Sequence, residues 1–277
     1  MANVIFNYLL IFGHFGFPRM EVAGASLATI IGQCVAFAIA LTVVVRGNRD
    51  LKLSFKDDFK PNLNIMKSIF KIGIPAMVEQ MVMRAGVIIY VKTVASLGTV
   101  AYATHQVCLN IQGMSFMNGQ AFAVSATSLV GQSLGKKRPD MAQAYSIRTR
   151  RIGMLISMIL AIILILFREA IISLYTDDIR VIEQGSKILF FVAFIQPFQA
   201  SQFILAGGLR GAGDTRATAV VTFITVLLVR PGLAIWTIKG LGWGLEGAWV
   251  AFVADQLLRS LLILMRYNSG KWKTIKV

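Results

Sequence analysis

Charge is scarce in this sequence of 277 residues. Asp, Glu, Lys and Arg make up 15% of it, against roughly 25% in soluble domains. Those few charges cannot clothe a soluble surface, and they cluster between long apolar runs. Acids are scarcer still, 13 against 28 basic residues, which leaves a net charge of +15. Only two cysteines occur, Cys34 and Cys108, both inside apolar runs, and this excludes a secreted disulfide scaffold. Disorder, collagen and coiled coil are excluded by composition. The basic excess does not point to nucleic acid. The interleaved aromatics of a binding groove are missing, and Lys and Arg occupy short loops. No P-loop, metal-ligand spacing or nucleophile triad is present, so neither an enzyme nor a cofactor is expected. What abounds is apolar: 56% hydrophobic residues and a mean hydropathy of +0.68. The chain is expected to be an all-α polytopic membrane protein whose main partner is the lipid bilayer.

A membrane helix needs about 20 mostly apolar residues. On that ruler a stub lies over 3–13, and spans lie over 22–45, 73–97, 99–131, 141–167, 182–206, 215–238 and 244–266. The 99–131 run is longer than a bilayer requires, so it must tilt, bend near Gly113 or Gly119, or project. Alternating the connectors between two sides puts 17 Lys and Arg in 46–60, 133–151, 210–216 and 266–276, and 4 at Arg19, Arg168, Arg180 and Lys239. The positive-inside rule then places the first set, with the C-terminus, in the cytoplasm. Within 61–72, Ile65, Ile69 and Ile72 recur at helical spacing with Lys67 and Lys71 on another face, which suits a short helix lying in the interface.

Gly24-Ala25-Ser26-Leu27-Ala28 aligns with Gly247-Ala248-Trp249-Val250-Ala251, and at the same offset Gln33 meets Gln256. Internal repeats of this kind are a mark of transporters. If residues 3–45 repeat the last two helices, four earlier helices of the first copy are absent, about 160 residues. The expected organisation is 1–45 as the last two helices of an N-terminal lobe, the first of them truncated, and 46–72 as linker and interfacial helix. A C-terminal six-helix lobe over 73–266 and a cytoplasmic tail over 267–277 complete it.

In order, these spans resemble the multidrug and toxic compound extrusion (MATE) family. The resemblance is carried by Asn7-Tyr8-Leu9-Leu10-Ile11-Phe12-Gly13 with Gly16-Phe17-Pro18, by Ala103-Thr104-His105-Gln106-Val107, and by Leu129 to Gly135. Gly208-Leu209-Arg210-Gly211-Ala212-Gly213-Asp214-Thr215-Arg216, Val229-Arg230-Pro231 and Gly270-Lys271-Trp272 add to it. It looks most similar to the bacterial DinF-like branch. The resemblance implies a twelve-helix fold of two lobes, of which this chain supplies the last two helices of the first and all of the second. It implies an antiporter that exports small amphipathic, often cationic, compounds against H+ or Na+ by lobe rocking. A lipid-linked oligosaccharide flippase of related fold and a non-transporting fragment are the alternatives. Without the missing N-terminal lobe helices the chain is expected not to transport alone.

Ionisable groups inside spans are functional candidates, since each costs about 2.5–3.5 kcal/mol at a helix centre. Glu79, Met83, Gly86 and Tyr90 share one helix face. An acid, a thioether, a gap and an aromatic suit a cavity for organic cations; alternatively Glu79 bonds a neighbouring helix and fixes packing. Arg84 on the same span leaves room for the basic cavity of a flippase. Gln106, Asn110, Gly113 and Met117 form a polar line with methionine, suited to a wet wall or to interhelical hydrogen bonds. Gln196, Gln199 and Gln202 read the same way. Asp255 and Arg259 stand at i,i+4, and Arg230 lies at similar depth on the preceding span, so a buried structural ion cluster is expected. His105 lacks a metal-ligating partner and reads as a packing residue. Sodium-coupled members of the family resembling NorM carry acids where Met83 and Gln199 stand here, so that cation site is not carried over.

Overall fold

The computed structural model describes residues 2–16, 18–47 and 62–275, which are helical apart from short turns. The linker expected over 46–60 lies, from Asn48 onward, outside the described residues. The chain divides into two units, Met1–Asn62 and Leu63–Val277.

The first unit is a hairpin of α1 (Ala2–Phe12) and α2 (Glu21–Arg46). Its turn uses two glycines at positive φ, Gly13 at 73° and Gly16 at 84°, where an L side chain is strained. The Met20 amide donates to the Leu10 carbonyl at 2.9 Å. The two helices approach at Gly24, where an added Cβ would stand 2.5 Å from the Leu10 oxygen. At 11 residues α1 falls short of a membrane span, whereas α2 is long and apolar enough to cross one.

The second unit holds α3 (Leu63–Ala95), α4 (Thr99–Gly135), α5 (Pro139–Leu166), the short α6 (Arg168–Ser173), and α7 (Ile179–Gly211). A further helix begins as α8 (Thr215–Thr222) and continues through a π-helical stretch, Phe223–Val229, into α9 (Arg230–Ile235) and a second π-helical stretch, Trp236–Gly240. The last long helix is α10 (Gly244–Asn268). Pro231 has no N–H to offer the carbonyl four residues back, Leu227, and a wide turn accommodates that loss.

Six described helices are long and apolar enough to cross a membrane: α2, α3, α5, α7, Thr215–Gly240 and α10. The sequence reading counts seven full spans. The difference is α4. Its 37 residues suffice in length, but glutamine, asparagine, serine, threonine and glycine along it lower its apolarity. It packs on α7 and α5 as the sixth long helix of the unit and runs unbroken through Gly113 and Gly119. The amphipathic stretch before Gly73 also differs from the separate interfacial element of the sequence reading. From Leu63 it forms the first turns of α3, in line with the span, because α3 continues through Pro75 to Ala95 without a break.

Two kinds of packing hold this unit. Helices α4, α5 and α7 meet through small residues. A Cβ on Gly207 would stand 2.4 Å from the Ala123 carbonyl oxygen, and one on Gly211 would stand 2.3 Å from that of Thr127. The Thr127 hydroxyl donates to the Gly207 carbonyl at 2.9 Å. Four-residue spacing puts both glycines on one face, so the backbones come close enough for dispersion and polar contact to hold them. Helices α3, α8–α9 and α10 instead enclose ion pairs.

One end of the unit carries its basic loops. Arg266 at the end of α10 pairs with Asp214 before α8 at 2.8 Å, and Lys273 donates to Gln143 of α5 at 2.5 Å. Gly270, at φ 67°, turns the chain after α10 so that Trp272 stacks on Tyr267 with ring centres 5.0 Å apart.

Candidate functional site

Glu79 stands on the buried stripe of α3 and is 4% exposed. Arg210, in the last turn of α7, donates to its Oε1 at 2.5 Å. The hydroxyls of Thr218 and Thr222, one turn apart on α8, donate to Oε2 at 3.0 Å and Oε1 at 3.3 Å. Both carboxylate oxygens are therefore occupied, and three helices are tied at one point. Sequence reasoning missed these partners. Arg210 counted there as a loop cation, and the signal lay in the Thr215, Thr218 and Thr222 spacing, which makes one hydroxyl-bearing face on α8.

Further along the same stripe, Met83, Gly86 and Tyr90 also face inward. An added Cβ on Gly86 would stand 2.7 Å from the Val226 carbonyl oxygen, and the Tyr90 hydroxyl donates to the Ala248 carbonyl at 2.8 Å. The four residues do share a face, and that face meets the interior of the lobe.

The structure brings Arg230, Asp255 and Arg259 together, none more than 4% exposed. Asp255 accepts from Arg230 Nε at 2.9 Å and from Arg259 Nη2 at 2.7 and 2.8 Å, with a second contact from Arg230 Nη2. The Arg230 guanidinium also lies 4.7 Å from the Phe252 ring centre. Arg259 reaches Met83 Sδ at 3.7 Å. One carboxylate between two guanidiniums leaves a surplus positive charge, which the aromatic faces partly offset. His105 packs edge-on against Tyr90 and Trp249, each at 5.5 Å between ring centres. Gln196, Gln199 and Gln202 are buried within α7.

The accessible face is different. On α3 it carries Gln80, Arg84, Met77 and Met81; on α4 it carries Asn110, Met114 and Met117, with Gln106 half-buried. Gln106 donates to the Tyr102 hydroxyl at 2.8 Å. Both methionines of α4 are more than 70% exposed. By contrast α5 exposes Ile152, Leu155, Ile159, Ile162 and Leu166, an apolar surface fit for lipid. Among the described residues no three His, Cys, Asp or Glu side chains gather to hold a metal ion.

Long apolar helices, a charged interior and a mixed accessible wall define a multi-pass helical membrane protein. Residues 75–236 match the MatE family model, and the chain belongs to that family. It is 32% identical over 271 residues to the probable multidrug resistance protein NorM of Thermotoga maritima, covering 98% of this chain and 58% of that protein. It is 28% identical over 272 residues to the uncharacterized transporter YisQ of Bacillus subtilis, covering 98% and 60%. The outward-facing structure of a multidrug resistance MATE family transporter superposes with a TM-score of 0.86 at 18% identity, over 98% of this chain and 60% of that one. A Pyrococcus furiosus transporter, described as having a binding pocket of reversed polarity, superposes at 0.87 with 18% identity, over 97% and 60%. The chain thus spans about 60% of the length of the relatives it matches. These relatives agree with the expected C-terminal lobe, and they are transporters rather than enzymes.

Proposed function

We propose that this lobe forms one wall of a secondary antiporter that exports small amphipathic, often cationic, compounds in exchange for H+ or Na+. A second lobe supplies the other wall, and rocking of the two exposes a midplane site to each side in turn. The basic loops and C-terminus face the cytoplasm. The observation that carries this reading is the accessible face of α3 and α4. Glutamine, asparagine and arginine there have no reason to face lipid, while methionines adapt to ligands of varied shape. On this reading Gln106, Asn110, Met114 and Met117 meet substrate. Glu79, Met83, Tyr90, Gln196 and Gln199 shape the lobe from within, and Arg230, Asp255 and Arg259 hold it together. Arg84 favours a second reading, transport of an anionic amphiphile such as a lipid-linked oligosaccharide.

Cysteine accessibility tests the wall. With Cys34 replaced by serine, Asn110→Cys and Met117→Cys should react with a water-soluble maleimide in membranes far faster than Leu155→Cys on α5. Tetraphenylphosphonium should slow the two wall positions. Equal rates at all three would refute the wall, and protection by an anionic amphiphile alone would favour the second reading.

A further inference from the structure

A groove of about 430 Å³ lies where the first turns of α3 meet the start of α8, lined by Lys67, Phe70, Lys71, Ile74, Pro75 and Arg216. We propose that it seats the phosphodiester headgroup of an anionic phospholipid, a site distinct from the substrate wall.

Charge comes first. None of the lining residues is acidic, and three are cationic. Lys67 and Lys71 stand at i,i+4 on one face of α3, where like charges repel. The site rests on Lys67 and Arg216; Lys71, which has interactions of its own, adds to the same field. A phosphodiester between these cations turns their repulsion into attraction.

Depth comes second. With 33 residues α3 is about 50 Å long, well beyond the roughly 30 Å hydrocarbon core, so its first turns stand at headgroup level. Arg216 is the second residue of a helix long and apolar enough to cross, and lies at the same end of the unit. The cations thus meet lipid where phosphates are, not where acyl chains are.

The walls come third. Phe70 and Ile74 are 56% and 51% exposed, and Pro75 continues their surface toward the middle of the span. Positive charge at the rim with apolar surface below matches a headgroup followed by its acyl chains. Basic pockets between helices on the cytoplasmic side take anionic headgroups by this chemistry.

The experiment uses the whole chain, purified in a neutral detergent, with dioleoylphosphatidylglycerol or dioleoylphosphatidylcholine added. Native mass spectrometry should show preferential phosphatidylglycerol adducts, and the thermal midpoint should rise with phosphatidylglycerol only. A Lys67→Gln/Arg216→Gln variant should bind the anionic lipid about thirtyfold more weakly, from about fivefold per cation near a membrane surface. It should keep the midpoint of the unmodified chain in phosphatidylcholine. Should that variant not fold, each single variant in the same assay should give about fivefold. Equal adducts of the two lipids would overturn the proposal, as would variants that retain the preference. An equal rise with glycerol phosphate or inorganic phosphate would also overturn it, by making the groove a general anion site.

Discussion

The two halves of the six-helix lobe are built on opposite solutions to one problem. Lipid tails are as apolar as leucine, so apolar surface alone gives helices little reason to associate in a membrane. Helices α4, α5 and α7 associate by backbone approach at Gly207 and Gly211. Helices α3, α8–α9 and α10 associate around Asp255 and Glu79, charges that lipid cannot solvate. The first solution is short-ranged and tolerates no added volume. The second tolerates no loss of charge, and it has one close backbone approach of its own, at Gly86. Arg210 joins them, since it belongs to the small-residue half and donates to Glu79 of the charged half.

Three single substitutions should separate the halves. Asp255→Asn should have the largest effect, about 3–5 kcal/mol, because it leaves two buried guanidiniums without a counter-charge. Thermal denaturation in detergent would show it. A loss below 1 kcal/mol would mean that the charged half is held by packing after all. Gly211→Ala comes next, at about 1–3 kcal/mol by overpacking, since its obstacle is a backbone oxygen that cannot rotate away. Its cost should be independent of pH and salt. Glu79→Gln should cost about 1–2 kcal/mol. It keeps the threonine bonds and loses the charge partner of an arginine that is 28% exposed and so partly hydrated. In a double-mutant cycle with Arg210→Gln the two losses should be far from additive.

The smallest effect lies outside both halves. Asp178 caps the first turn of α7, where its side chain accepts from the Arg180 amide at 3.0 Å. The Arg180 guanidinium and amide hold its carboxyl below the usual range. A depressed folded value means that the contribution is present above the ordinary carboxylate range and fades as pH falls through the folded value. Asp178→Asn should therefore cost a little stability at neutral pH, leave stability at strongly acid pH unchanged, and so remove part of the fall that the unmodified chain shows below about pH 4.

Much of this was legible in the residues. Apolar runs marked the spans, and the i,i+4 spacing with a count of rise placed Arg230, Asp255 and Arg259 together. The stripe Glu79, Met83, Gly86 and Tyr90 was also legible as one face. What that face meets was not, because helical periodicity says which side chains point together and nothing of what lies opposite. The partner of Glu79 is 131 residues away, in a motif whose basic residues looked like loop charge. In the same way α4 reads as a span by length, yet its polar residues make it less apolar than the helices around it.

The π-helical stretches beside Arg230 give this helix a rotational phase that substitution alone could not supply. A wide turn holds one more residue than an ordinary turn, so everything beyond it is rotated by about 100° relative to an uninterrupted α-helix. The side chains from Arg230 to Ile235 face as they do because of how many residues precede them. A single residue gained between Thr222 and Arg230, with no further wide turn to absorb it, would swing the guanidinium about 100° off Asp255, whereas the loss of one would be absorbed by closing the wide turn. In this stretch the count of residues is inherited information on a par with their identity.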